Sequence, residues 1–558
     1  MSPTRREFIH TGAVAAAGLL LPTPSIRSPR TSRVVDFEPT WASLAQFRTP
    51  DWFRDAKFGM WAHWGPQCVP EQGDWYARQM YEEGSRDYIA HVARYGHPSR
   101  VGFKDVIHEW KAESWRPDEL LALYQQTGAQ YFMALANHHD NLDLWNSRHQ
   151  PWNAVRVGPK KDLVGGWAHA ARRAGLRFAV SVHAAHAWSW YEVTQGSDRE
   201  GPLKGVPYDG KLTRGQGRGR WWEGLDPQDL YEQRHAPGRE LVWDWDASKG
   251  SSVPDRSYCE RFYARTMDLI EQHDPDLVYF DDTALPLYPV SDVGLRIAAN
   301  FYNRSLKKNG GRLEGVITGK VLSEAQRKCM VWDIERGVAT DVLPLPWQTD
   351  TCIGEWHYSR PVFEHHRYKT PQMVAQMLVD IVAKNGNLML NVPLPGSGTP
   401  DDDELSFIAD FGRWMRTNGR AIYASRPWSV YGEGPSTAAQ APLRAQGFNE
   451  GQNKPYTAED VRYVQKDGKV YAFVMAWPES GRVTLKSLAS GSKHAPGEVE
   501  RVELFTTAQW TGTPGTAALK FDRTAEGLTI TLPQERHGDY VFTFEIAGRG
   551  LVAGGASG

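Results

Sequence analysis

The chain reads as a (β/α) TIM-like barrel followed by a C-terminal antiparallel β-sandwich. Between residue 57 and about residue 391, short apolar runs alternate with amphipathic helical stretches, the pattern of parallel strands buried on both faces and joined by helices. After about Pro427 the period falls to two, as half-buried antiparallel strands require. A third observation locates chemistry: the apolar strand Leu277-Val278-Tyr279-Phe280 ends abruptly on Asp281 and Asp282. Strand ends of that kind open at the mouth of a parallel barrel, where active sites sit.

The elements follow in order. Thr4-Arg5-Arg6-Glu7-Phe8-Ile9 and the weakly apolar run TGAVAAAGLLLP resemble a twin-arginine export signal, so residues 1–34 are expected to be a leader and the mature protein periplasmic or secreted. The run is too short for a membrane anchor and no comparable one follows. Residues 35–427 form the expected barrel: Lys57 to Trp61, Tyr131 to Ala136, Arg177 to Val182, Leu277 to Phe280, Val316-Ile317 and Asn387 to Asn391 read as strands. Helical patterns at Pro117 to Thr127, Leu163 to Ala174, Tyr258 to His273, Val293 to Lys307 and Pro371 to Lys384 separate them. Gly196 to Gly250 breaks the rhythm; with Trp221, Trp222, Trp243 and Trp245 to pack, it reads as an active-site loop. Residues 428–548 are the β-sandwich, with a hairpin at Val461 to Val474 turning on Asp467-Gly468, and 549–558 a Gly/Ala-rich disordered tail.

Composition narrows the partners. Lys+Arg 64 against Asp+Glu 66 leave a formal charge of -2 with no basic run, which speaks against nucleic acid and anionic membranes. The 23 Trp and 22 Tyr suit stacking on the apolar faces of sugar rings. Four scattered cysteines without CxxC spacing exclude a disulfide scaffold and give no zinc motif.

Polar clusters gather at one end of the expected barrel. The first strand ends in Ala62-His63-Trp64-Gly65, with Gly73-Asp74-Trp75-Tyr76 after it, and the Tyr131 strand ends in Asn137-His138-His139-Asp140. Imidazoles and indoles around Asp281 make a cleft of donors about a carboxylate. His63, His138, His139 and Asp140 could instead hold a metal, but adjacent histidines in an extended segment point to opposite sides, so neither metal nor cofactor is assigned.

In this order the pieces resemble glycoside hydrolase family 29, the retaining α-L-fucosidases, from about Asp51 to Trp428. The carriers are Lys57-Phe58-Gly59, His63-Trp64-Gly65, Trp75-Tyr76, His138-His139-Asp140, Tyr279-Phe280-Asp281, Asp333-Ile334-Glu335-Arg336-Gly337, Trp347 to Gly354, Lys384 to Asn391, and Asn418 to Trp428. The resemblance implies an exo-acting enzyme that removes α-linked L-fucose, or a related L-galacto sugar, from oligosaccharides or glycans. It implies Asp281 as nucleophile and His63, Trp75, His138 and His139 as sugar-hydroxyl contacts, with Trp64, Asp74, Glu355 and Trp356 completing the candidate substrate-binding set. A retaining glycosidase also needs a protonated carboxyl; Glu335 is the first choice and Glu355 the second. The chain departs from the family pattern at Asp282, where a Gly is usual, at Asp74 in place of Glu, and at Asn141-Leu142 in place of Gly-Phe. A non-catalytic glycan-binding protein and a metal-dependent hydrolase are the alternatives.

Overall fold

The computed structural model describes residues 36–552 except 239–240, 242, 251, 439, 444–447 and 508–512. The expected leader and the last six residues lie outside the described residues.

Eight parallel strands close into a barrel in sequence order: β1 (Phe58–Ala62), β2 (Tyr131–Asn137), β3 (Arg177–Val182), β4 (Leu277–Phe280), β5 (Val316–Gly319), β6 (Val331–Glu335), β7 (Trp347–Cys352) and β8 (Gly386–Asn391). β8 returns to β1 with Phe58 opposite Leu388 and Met60 opposite Leu390, so no edge remains. All eight are buried along nearly their whole length, and six of them read as apolar runs for that reason. β6 and β7 escaped that reading because their inward positions carry Asp333, Glu335, Gln348 and Asp350.

The crossover helices begin where capping chemistry permits. Asp162 accepts from Gly165 N ahead of Leu163–Arg173, and Asp255 from Tyr258 N ahead of Arg256–His273. Asp401 and Glu404 form a reciprocal capping box at the head of Asp402–Ile422.

The C-terminal strands are β9 (Arg426–Glu433), β10 (Val461–Lys466), β11 (Lys469–Val474), β12 (Arg482–Leu485), β13 (Glu498–Thr507), β14 (Pro514–Ala518), β15 (Phe521–Thr524), β16 (Gly527–Thr531) and β17 (Phe542–Arg549). They form one sheet in the order β14-β13-β17-β11-β10-β9 and a second in the order β12-β16-β15. A shared core of Trp428, Val470, Phe544, Leu528 and Ile530 joins the two. The β10–β11 hairpin turns on Asp467 and Gly468, both at positive φ, as its sequence requires. β17 continues to Arg549 and Leu551 is fully buried, its carbonyl accepting from Trp428 Nε1 at 2.9 Å, so one apolar residue anchors a stretch whose glycines suggested a loose tail. The sandwich is fastened to the barrel helices by the buried Asp380–Arg462 pair and by Gln376 donating to the Met475 carbonyl.

Candidate active site

Alternation along each strand decides what enters the barrel mouth. Trp61 and His63 line a cavity of about 240 Å³ there, and so do Tyr279 with Asp281 and Glu335 with Asp350. Trp64 falls on the opposite face: it is buried, donates from Nε1 to the Pro395 carbonyl at 2.8 Å and packs edge-on against Trp110. The expectation that Trp64 meets substrate is corrected; it is core, because a one-residue step along an extended chain reverses the side chain.

Asp281 and Glu335 meet through one ammonium. Lys320, the residue after β5, places Nζ 2.8 Å from Asp281 Oδ1 and in close contact with Glu335 Oε2, with Asp350 Oδ2 at 3.7 Å. Two hydrogen bonds to a shared nitrogen keep the two carboxyl groups about 5–6 Å apart at most, the range of the about 5–5.5 Å separation that retaining glycosidases use. Their acidities diverge. Burial would raise the pKa of Asp281, yet the positive charge of Lys320, with His183 and His139, holds its carboxyl well below the usual range. Burial pushes Glu335 up to about 7; Lys320 opposes this, but Asp350 and Asp281 repel its charge. At neutral pH one carboxyl is ionised and the other keeps its proton in part of the molecules, the division that an acid and a nucleophile require.

His183, after β3, points Nδ1 at Asp281 Oδ2 at 3.0 Å, and His139 Nε2 stands 3.6 Å from the same oxygen. Asp282 turns away: Oδ1 accepts from Thr283 N, Oδ2 lies 3.7 Å from His186, and burial raises its carboxyl to about 6. It does not line the cavity.

The His138 and His139 rings do not diverge. Their centroids are 4.4 Å apart and both line the cavity, because β2 ends at Asn137 and a turn follows, where strand alternation no longer applies. Burial and neighbouring imidazoles hold His63, His138 and His139 well below the ordinary imidazole range, so all three are neutral. The Gln67 amide donates to His138 Nδ1 at 2.8 Å, which leaves Nε2 carrying the proton toward the cavity. His63, His138 and His183, and likewise His139, His183 and Asp281, bring donor atoms within 4.8 Å of one another, so the cluster could hold a cation as well as hydroxyls. The proton on His138 Nε2 favours hydroxyls.

Asp74, Trp75, Trp245 and Trp356 complete the wall with Arg336 and Phe448. Trp243 stands edge-on to Trp75 at 4.9 Å, so this part of the long loop serves the site. Trp221 instead stacks on His108 and Trp222 is buried, so the remainder is scaffold. Glu355 does not line the cavity; its Oε2 accepts from the Asp74 backbone at 3.3 Å. Sequence reasoning missed His183 and Lys320, although each directly follows a barrel strand as Asp281 does. It also missed Phe448, which belongs to the C-terminal region and carries no sequence signal.

An eight-stranded parallel barrel with an ionised and a protonatable carboxyl on one lysine, in a cavity walled by indoles and imidazoles, defines a retaining glycoside hydrolase. Residues 26–420 match the family model of alpha-L-fucosidase and residues 452–547 that of the alpha-L-fucosidase C-terminal domain. The chain belongs to the α-L-fucosidase family, glycoside hydrolase family 29. It is 24% identical to tissue alpha-L-fucosidase of Rattus norvegicus over 510 residues, covering 89% of each chain. It is 25% identical to plasma alpha-L-fucosidase of Homo sapiens over 460 residues, covering 80% of this chain and 81% of that one. The crystal structure of Thermotoga maritima alpha-fucosidase in complex with fucose shares the fold at a TM-score of 0.62 and 22% identity, over 92% of this chain and all of the other.

Proposed function

We propose that this α-L-fucosidase releases terminal α-L-fucose from oligosaccharides or glycans by double displacement, with Asp281 as nucleophile and Glu335 as acid and then base. The observation that carries the assignment is Lys320 bonded to both carboxylates. Asp281 attacks the anomeric carbon while Glu335 passes its proton to the departing oxygen; water, deprotonated by Glu335, then cleaves the fucosyl ester with net retention. Lys320 and His183 keep Asp281 ionised and aimed. His63, Asp74, Trp75, His138, His139 and Trp356 surround the sugar. The cavity of about 240 Å³ lies below the 300–1,000 Å³ of drug-sized pockets, which suits one terminal ring and supports exo action.

Turnover of nitrophenyl glycosides that differ only in the sugar, with the anomer of the first product read by NMR, tests the reading. A 2-deoxy-2-fluoro fucosyl fluoride should label Asp281; label on another carboxyl, or an inverted product, overturns it. The leader's Arg5-Arg6 pair supports export through the twin-arginine route to the periplasm or beyond. A reporter fused to residues 1–34 should lose export when both arginines become lysine, and export that survives the change would refute this address.

A further inference from the structure

We propose that Phe448, from the C-terminal region, forms the platform of an acceptor subsite that stacks the apolar face of the hexopyranose to which fucose is attached. The inference rests on the fucosidase reading and adds to it a role for the chain beyond the barrel.

Among the described residues Phe448 is one of the few large apolar side chains left exposed, at 40%, and it lines the same cavity as Asp281 and Glu335. Its place is set by backbone rather than by packing of the ring. Phe448 N donates to the Glu335 carbonyl at 2.8 Å and Glu450 N to the Arg336 carbonyl at 2.9 Å, so a segment that follows β9 pairs with the last residue of β6 and the one after it. Between them Asn449 is buried and accepts from Val338 N at 2.8 Å. The Glu450 carboxylate holds Thr351 Oγ1 and Lys369 Nζ, both at 2.8 Å. A segment bound this tightly carries its one apolar side chain outward, with Phe448 at φ 49, a left-handed conformation that disfavours bulky residues. Backbone strain kept beside a catalytic carboxyl is a sign of use.

Position selects the ligand. Glu335 delivers its proton to the glycosidic oxygen, so whatever lies against the residue bonded to Glu335's own carbonyl lies on the leaving-group side. An aromatic ring there meets the leaving sugar, and a pyranose offers such a ring its C–H face. The fucose ring itself falls to His63 and Trp75 after β1 and to His138 and His139 after β2, strands far from β6 in the barrel.

The test compares substrates whose leaving oxygens need the same protonation but differ in having a ring. Alanine at position 448 keeps the backbone amide that holds the Glu335 carbonyl. Phe448→Ala should lower kcat/KM on the preferred member of a panel of 1,2-, 1,3-, 1,4- and 1,6-linked fucosyl hexoses by about three- to tenfold more than on methyl α-L-fucoside, and Phe448→Tyr should reverse that excess loss. Equal losses on both substrates would make Phe448 a support of Glu335 and overturn the subsite, and so would no loss on the disaccharide. If the parent enzyme turns over neither substrate, the fucosidase reading itself falls and the subsite with it.

Discussion

Replacing Glu335 with Gln tests the acid/base assignment and the physical cause of its perturbed acidity together. The carboxyl is raised from 4.5 to about 7 chiefly by burial, with Asp350 and Asp281 adding repulsion and Lys320 subtracting from it. At 1.36 kcal/mol per pH unit, ionising it in the folded protein costs about 3 kcal/mol more than in the unfolded chain. The sign follows from proton binding. The folded state holds this proton more tightly, so its stabilising contribution is complete below pH 4.5 and is lost as pH rises through about 7. Glutamine does not ionise, so Glu335→Gln should match its parent at pH 4 and exceed it by up to about 3 kcal/mol at pH 8, read by denaturant unfolding. Activity should move the opposite way: kcat/KM on a fucosyl disaccharide falls about 10²–10⁴-fold and the alkaline limb near pH 7 disappears. An activated aryl fucoside should be nearly spared in its first step, because its leaving oxygen needs no proton. A variant that keeps the parent's alkaline limb, or gains no stability at pH 8, refutes the argument; Glu355→Gln should keep that limb, since Glu355 faces the Asp74 backbone outside the cavity.

Three further outcomes follow from the site. Asp281→Ala should abolish turnover on good and poor leaving groups alike and be rescued by azide with inverted product, whereas Asp282→Ala, outside the cavity, should keep most activity; the reverse result would exchange the two assignments. Lys320→Met should move both limbs of the pH profile upward, since the ammonium lowers both Asp281 and Glu335. It should also cost about 3–5 kcal/mol in unfolding free energy, because a buried carboxylate loses its partner, and limbs that stay in place would refute the shared-lysine account. Dialysis against EDTA should leave kcat unchanged, as His138 presents a proton to the cavity; loss restored by zinc would show that the histidine cluster holds a catalytic metal.

The barrel was legible in the sequence because parallel strands buried on both faces must be continuously apolar, and Leu277 to Phe280 and Tyr131 to Ala136 have no other use. The position of Asp281 was legible for the same reason, since charge at the end of such a strand can lie only at the mouth. The residues of β6 and β7 entered only as family motifs and were not read as strands, because their inward positions are polar and the apolar signal vanishes where the barrel interior is the active site. The choice between His63 and Trp64 depended on which face each presents, a matter of register that only strand pairing decides. The convergence of His138 with His139 depended on the residue at which β2 stops. Lys320 and Phe448 needed the folded chain most. Their meaning lies in contacts of Lys320 to Asp281 across 39 residues and to Glu335 across 15, and of Phe448 to the Glu335 carbonyl across 113. Sequence therefore determined the fold class and the strand-end carboxylates, through local periodicity and burial. Tertiary structure alone decided which charges share a lysine, which carboxyl keeps its proton and which distant ring reaches the cavity, because pairing and desolvation are properties of space and not of order along the chain.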